Sequence, residues 1–273
     1  MDEVTKQQKE LWDSMSPEEY EDMTYGSPIM RILRDEYLLS KWAPDTKDKR
    51  VLDIGCGHGE VSLAVSNYTS KIVAMDIAFP FLVKAKANLK KRIEIDLNAV
   101  QADGMKIPFI DNSFDCVISM GGIHHIPNQS RTISEIARIL KRGGVFYAFE
   151  PNRNSIFTFI DFYSQLIFNN PDYLKPFQEF LLGDKFRKKM QFEKELHPSL
   201  YSYEDYAKAC AASEMSFSCD LVLFPLLPLR LLRLDTKELA WRAMISLSKL
   251  LARIPTLKHK EGFLFITAKK NNY

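Results

Sequence analysis

The stretch Val51-Leu52-Asp53-Ile54-Gly55-Cys56-Gly57-His58-Gly59-Glu60 constrains this chain more than any other part of it. Three glycines at alternate positions lie between an apolar run that reads as a short buried strand and a run, Val61-Ser62-Leu63-Ala64-Val65, that opens a helix. Glycine has no Cβ, so a strand, turn and helix with this spacing lets a small ligand lie directly against the main chain. Asp53, two residues before the first glycine, falls at the end of the strand, where its carboxylate can meet a cationic amine. The expected ligand has an amino-acid portion.

The rest of the chain fits a fold built around such a turn. Strand-like runs at 50–54, 71–75, 98–102, 114–120 and 145–150 alternate with helix-like stretches at 61–67, 81–91 and 131–140. This alternation predicts an α/β fold whose parallel sheet is covered by helices on both faces. After the third helix, Lys141-Arg142-Gly143-Gly144 reads as a stop signal, with cations at the negative end of the helix dipole and glycine in a left-handed cap. Residues 203–213 read as a further helix opened by Ser202, and 216–224 and 262–268 as two last strands. The chain then divides into an N-terminal helical cap (1–47), a ligand-binding core (48–150), a helical insertion expected to cap the substrate (151–202), and the remainder of the sheet (203–273) with a second helical insertion at 225–260. The first insertion is rich in aromatics, among them Phe157, Phe159, Phe162 and Tyr163, and is broken by Pro171, Pro176 and Pro198.

Composition removes several classes of function. A net charge of +2 provides no concentrated field for a nucleic-acid backbone. Four scattered cysteines, Cys56, Cys116, Cys210 and Cys219, form no Cys-x-x-Cys pair, so neither a metal site nor a disulfide framework is expected. Free thiols, a charged N-terminal stretch and the lack of a long uncharged apolar run lead to the expectation of a cytoplasmic protein.

Four features fall at the C-terminal ends of successive strands, where open parallel sheets bind ligands. They are Asp53 with its glycine turn, Asp76 closing Ile72-Val73-Ala74-Met75-Asp76, the run Ala102-Asp103-Gly104, and Ser119-Met120-Gly121-Gly122-Ile123-His124-His125. Together with Ile107-Pro108-Phe109-Ile110-Asp111-Asn112-Ser113-Phe114-Asp115 and Leu140-Lys141-Arg142-Gly143-Gly144, this text resembles the class I S-adenosylmethionine-dependent methyltransferases. The resemblance is to the small-molecule branch that includes ubiquinone and menaquinone biosynthesis enzymes, and it covers residues 50–151. It implies a seven-stranded, mostly parallel Rossmann-like sheet whose last strand is antiparallel, and S-adenosyl-L-methionine as cofactor. Asp53 would then face the methionine amine, with Gly55, Cys56 and Gly57 lining the methionine part. Asp76 would hold the ribose, Ile77, Asp103, Gly104 and Met105 the adenine, and Met120 would lie beside the sulfonium.

Other readings compete with this one. A nicotinamide-binding turn would want a third glycine where Glu60 stands. A non-catalytic cofactor-binding subunit or sensor would keep the same acids, and a protein or tRNA target remains an alternative to a small molecule. An aminopropyl transferase would want an acidic groove where Gly121, Gly122 and two histidines occur. His124 and His125 are the candidate catalytic residues, as a base toward a protonated acceptor or as groups that shape the pocket. In 225–260, Leu239, Ala243, Leu247, Leu250 and Ile254 recur at helical spacing beside Arg230, Arg233, Lys237, Arg242 and Lys249. That pattern fits either a helix with a solvated basic face or a peripheral contact with an anionic membrane.

Overall fold

The computed structural model describes residues 3–15, 34–93, 97–154, 200–222, 242–243, 246 and 263–272. The strands are β1 (Val51–Ile54), β2 (Ile72–Asp76), β3 (Asn98–Gln101), β4 (Phe114–Met120), β5 (Leu140–Pro151), β6 (Met215–Val222) and β7 (Phe263–Lys270). They form a seven-stranded sheet in the order β3-β2-β1-β4-β5-β7-β6. β1 to β5 pair in parallel, while β7 runs antiparallel to both β5 and β6. This is the sheet that the resemblance implies, down to the reversed last strand.

The central strands are buried on both faces, as their continuous apolar text requires: every residue of β1 and β2 is buried. The helices are α1 (Glu3–Ser14), α2 (Glu60–Val65), α3 (Phe79–Ile93), α4 (Gln129–Ile139) and α5 (Tyr203–Ala212). α2 and α3 fill one side of the sheet with Val61, Ala64, Val65, Leu82, Ala85 and Leu89. α4 and α5 fill the other with Ile133, Ile136, Ala137, Tyr206, Ala209 and Cys210. Cys116 lies on the α2–α3 side of the sheet and is fully buried, as a small apolar residue.

A π-helical segment, Arg34–Trp42, crosses the far half of the sheet and packs Tyr37 flat on Phe265, ring centroids 3.5 Å apart. α1 lies elsewhere, with Trp12 and Met15 against Ala78 and Phe81 at the C-terminal side of β2. Residues 16–33 of the expected N-terminal cap fall outside the described residues, as do almost all of the aromatic insertion and of the basic segment 225–260.

One sequence expectation is corrected. α4 ends at Ile139, and Leu140 is already extended at φ −67° and ψ 136°. Lys141-Arg142-Gly143-Gly144 therefore belongs to β5 rather than to a helix cap. Gly143 takes φ 72° within the strand, and the β4–β5 register shifts between Phe114 and Cys116. A Cβ on Gly144 would lie 2.8 Å from the Lys141 carbonyl oxygen, so the glycines permit a kinked strand entry. Lys141 uses its charge on Asp115, Nζ to Oδ1 2.8 Å, instead of on the helix end.

Candidate functional site

The strand order reverses beside β1, and the turns leaving β1 and β4 meet at that crevice. Gly55 sits at φ 65°, and a Cβ there would lie 3.0 Å from Gly122 Cα. On the other side, a Cβ on Gly122 would lie 2.9 Å from Ser119 Oγ and 3.1 Å from both Gly55 Cα and the Ile54 carbonyl oxygen. Main chain meets main chain here, so the floor of the crevice is built of peptide groups.

Asp53 is 1% exposed. Its Oδ2 accepts the Ser62 backbone N–H at 2.9 Å and the Ser62 hydroxyl at 2.6 Å, which locks β1 to the first turn of α2. Its Oδ1 has no hydrogen-bond partner among the described residues. Burial pushes the carboxyl up to about 7; the Ser62 hydrogen bonds oppose that rise and the Asp76 charge adds to it. A buried carboxylate with an orphaned oxygen is costly alone and becomes satisfied by a cationic or donor group of a ligand.

Asp76 closes the adjoining strand β2. Oδ2 accepts the N–H of Gly57 and Oδ1 the N–H of Ala78, both at 2.9 Å. Burial pushes this carboxyl up to about 6, against those backbone hydrogen bonds and with a small addition from the Asp13 charge. The expectation has Asp76 hold the ribose. Each oxygen already holds a backbone N–H, and each keeps a second lone pair for a hydroxyl. Gly55 and Cys56 donate their N–H groups to the Met75 carbonyl at 2.8 and 3.1 Å, so β2 anchors the glycine turn.

The third feature is a tight turn: Asp103 Oδ1 accepts the N–H of Met105 at 2.8 Å. A Cβ on Gly104 would lie 2.5 Å from Ile126 Cδ1, so this turn packs directly on the segment that follows the histidines. Ile77 joins the small apolar cluster of Trp12, Met15, Ala78 and Phe81, and its carbonyl accepts Gln101 Nε2 at 2.9 Å. Met120 ends β4, half-buried against the core.

His124 and His125 stand in a 3-10 turn, Ile123–His125, directly beyond β4. Their ring centroids are 3.8 Å apart. His124 is buried and its Nδ1 is 2.6 Å from Glu150 Oε2. His125 faces Trp12 of α1 edge-on at 4.8 Å. α1 thus reaches from the end of β2 to the end of β4, across the crevice.

Residues 52–148 match the family model described as a methyltransferase domain. They are a methyltransferase domain. The family works with S-adenosyl-L-methionine, and the orphaned Asp53 oxygen beside the peptide-floored crevice fits that ligand's ammonium group. Similar proteins include a sterol 24-C-methyltransferase of Gibberella zeae, 34% identical over 46% of this chain and 34% of its own length. Another is a ubiquinone/menaquinone biosynthesis C-methyltransferase of Rhizobium meliloti, 30% identical over 57% of this chain and 61% of its own length. The chain spans about a third of the sterol enzyme it matches. The chain also shares its fold with a phosphoethanolamine N-methyltransferase of Haemonchus contortus, at a TM-score of 0.61 and 17% identity, covering 97% of this chain and 60% of that one.

Sequence reasoning missed three residues around the site. Ser62 holds Asp53, Glu150 holds His124 and Trp12 touches His125. Only Glu150 offered a signal, as an acid at the C-terminal end of a core strand. The other two become neighbours of the crevice through packing. Ser119, in the run that the sequence singled out, carries a buried hydroxyl with no hydrogen-bond partner among the described residues.

Proposed function

We propose that the protein transfers a methyl group from S-adenosyl-L-methionine to an oxygen, carbon or nitrogen of a small, partly apolar molecule. The observation that carries this reading is the unpartnered Oδ1 of buried Asp53 where Gly55 meets Gly122. In it, Asp53 holds the amine of the donor, and Gly55, Cys56 and Gly57 line its methionine part. Asp76 takes the ribose, Ile77, Asp103, Gly104 and Met105 take the adenine, and Met120 stands beside the sulfonium.

When bound, the donor supplies an activated methyl group on a positively charged sulfur. The chain supplies alignment, exclusion of water and, where the acceptor carries a proton, a base. His124 and His125 occupy the turn beyond Met120, on the side where an acceptor would enter. The matched sterol and quinone enzymes support an acceptor with apolar character. Four free cysteines, three of them buried, support a cytoplasmic setting. Among the described residues no helix is long and apolar enough to cross a membrane.

The test is incubation of the purified chain with methyl-labelled donor and a panel of phenols, quinols, sterols and amines, followed by mass spectrometry. Transfer of label to a small molecule is the expected result. Label found only on protein or tRNA, or consumption of donor with no acceptor in any class, overturns the substrate class.

A further inference from the structure

Glu150 is fully buried at the C-terminal end of β5 and makes three contacts to one turn. Its Oε1 accepts the Ile123 backbone N–H at 3.0 Å, and its Oε2 accepts the His124 backbone N–H at 3.1 Å. The same Oε2 lies 2.6 Å from His124 Nδ1. The turn Ile123–His125 leaves β4, the strand that pairs with β5 through Met120↔Phe149, so the carboxylate ties the ends of adjacent strands together. A carboxylate offers lone pairs and no proton, so the imidazole nitrogen facing it carries the hydrogen.

We propose that Glu150 is a positioning residue that fixes the His124 ring with the proton on Nδ1, leaving Nε2 as the basic nitrogen that takes a proton from the methyl acceptor. This rests on the methyl-transfer reading for the identity of the acceptor and on the geometry alone for the tautomer. It assigns the role to His124, whose ring the Glu150 carboxylate orients. It also narrows the acceptor to a group bearing a removable proton: a hydroxyl, an amine, or a carbon acidified by a neighbouring oxygen. The acceptor's X–H bond breaks as its electron pair stays with X, the proton goes to Nε2, and the resulting imidazolium is balanced by the buried carboxylate.

The ionisable groups close to this pair among the described residues are His125, in ring contact with His124, and Tyr206 on α5. Tyr206 is held well above the ordinary phenol range, by burial first and by the Glu150 charge second, so the phenol stays protonated. It donates to Gln129 Oε1 at 2.5 Å. Glu150 is the negative charge in direct contact with the His124 ring.

The experiment is long-range proton–nitrogen NMR of the full chain with labelled histidines, His124 being assigned by the signals lost in His124→Asn. The expected result is an Nδ1–H tautomer for His124 at neutral pH, and in Glu150→Gln a fall of its titration midpoint by about one pH unit or more. An Nε2–H tautomer in the wild type, or a midpoint in Glu150→Gln within a few tenths of a unit of the wild type, overturns the proposal. Should the variant not fold, the wild-type tautomer alone decides. Neither readout needs the donor, so a failure of the methyl-transfer reading, seen as no binding of S-adenosylhomocysteine, is scored separately.

Discussion

Asp53 combines a structural cost with a functional use, and the two separate in a single substitution. Its carboxyl moves from the ordinary 3.8 up to about 7, so between those values the folded chain binds more protons than the unfolded one. The destabilisation it brings therefore grows as pH rises through that window and is complete above about 7. Thermal unfolding of Asp53→Asn at pH 8 is expected to occur at a higher temperature than wild type, while affinity for S-adenosylhomocysteine falls roughly a hundredfold, about 3 kcal/mol. An ammonium on Oδ1 favours the ionised form, so ligand binding releases a proton at low pH. Affinity measured by calorimetry is expected to weaken as pH falls below about 7, approaching tenfold per unit. Asp53 and Asp76 were legible in the sequence because each closes an apolar strand ahead of a turn. Ser62 was not, since its hydroxyl reaches Asp53 only once α2 has folded back along β1.

The turns between elements carry the site, and they respond to substitution differently from the helices behind them. Gly122 has φ −98°, so alanine is allowed by its backbone and blocked only by space, with Ser119 Oγ, Gly55 Cα and the Ile54 carbonyl within about 3 Å of the new Cβ. Gly122→Ala is expected to push the two turns apart and weaken S-adenosylhomocysteine binding at least tenfold, read by calorimetry. The contrast is α5, which opens with a reciprocal cap: Ser202 Oγ accepts the Asp205 N–H at 3.2 Å, and Asp205 Oδ2 accepts the Ser202 N–H at 2.8 Å. Ser202→Ala is expected to lower stability by about 1 kcal/mol in denaturant unfolding and leave ligand affinity unchanged, because α5 packs on β6 and α4. The sequence reading located α5 through this cap and misread the start of β5. Basic residues followed by glycine signal a helix stop locally, and only the pairing of β5 with β4 shows that these glycines kink a strand.

At the scale of the whole molecule, the sheet was readable from its alternating text, whereas the placement of α1 was not, because nothing in residues 3–15 names Ala78, Phe81 or His125 as neighbours. α1 packs Trp12 and Met15 against Ala78 and Phe81, and Asp13 Oδ1 accepts the Phe79 N–H at 3.2 Å. Hydrogen exchange of Trp12→Ala is expected to accelerate in residues 3–15 and to leave β1, β2 and β4 unchanged. The central claim is that the crevice floored by Gly55 and Gly122 and flanked by Asp53 and Asp76 binds the methyl donor. Calorimetric titration of the full chain with S-adenosylhomocysteine at pH 8, beside Asp53→Asn, tests it most directly. The account predicts one-to-one micromolar binding that is lost or severely weakened in the variant; a folded wild type that binds no S-adenosylhomocysteine at millimolar concentration, or equal binding by both proteins, would contradict it.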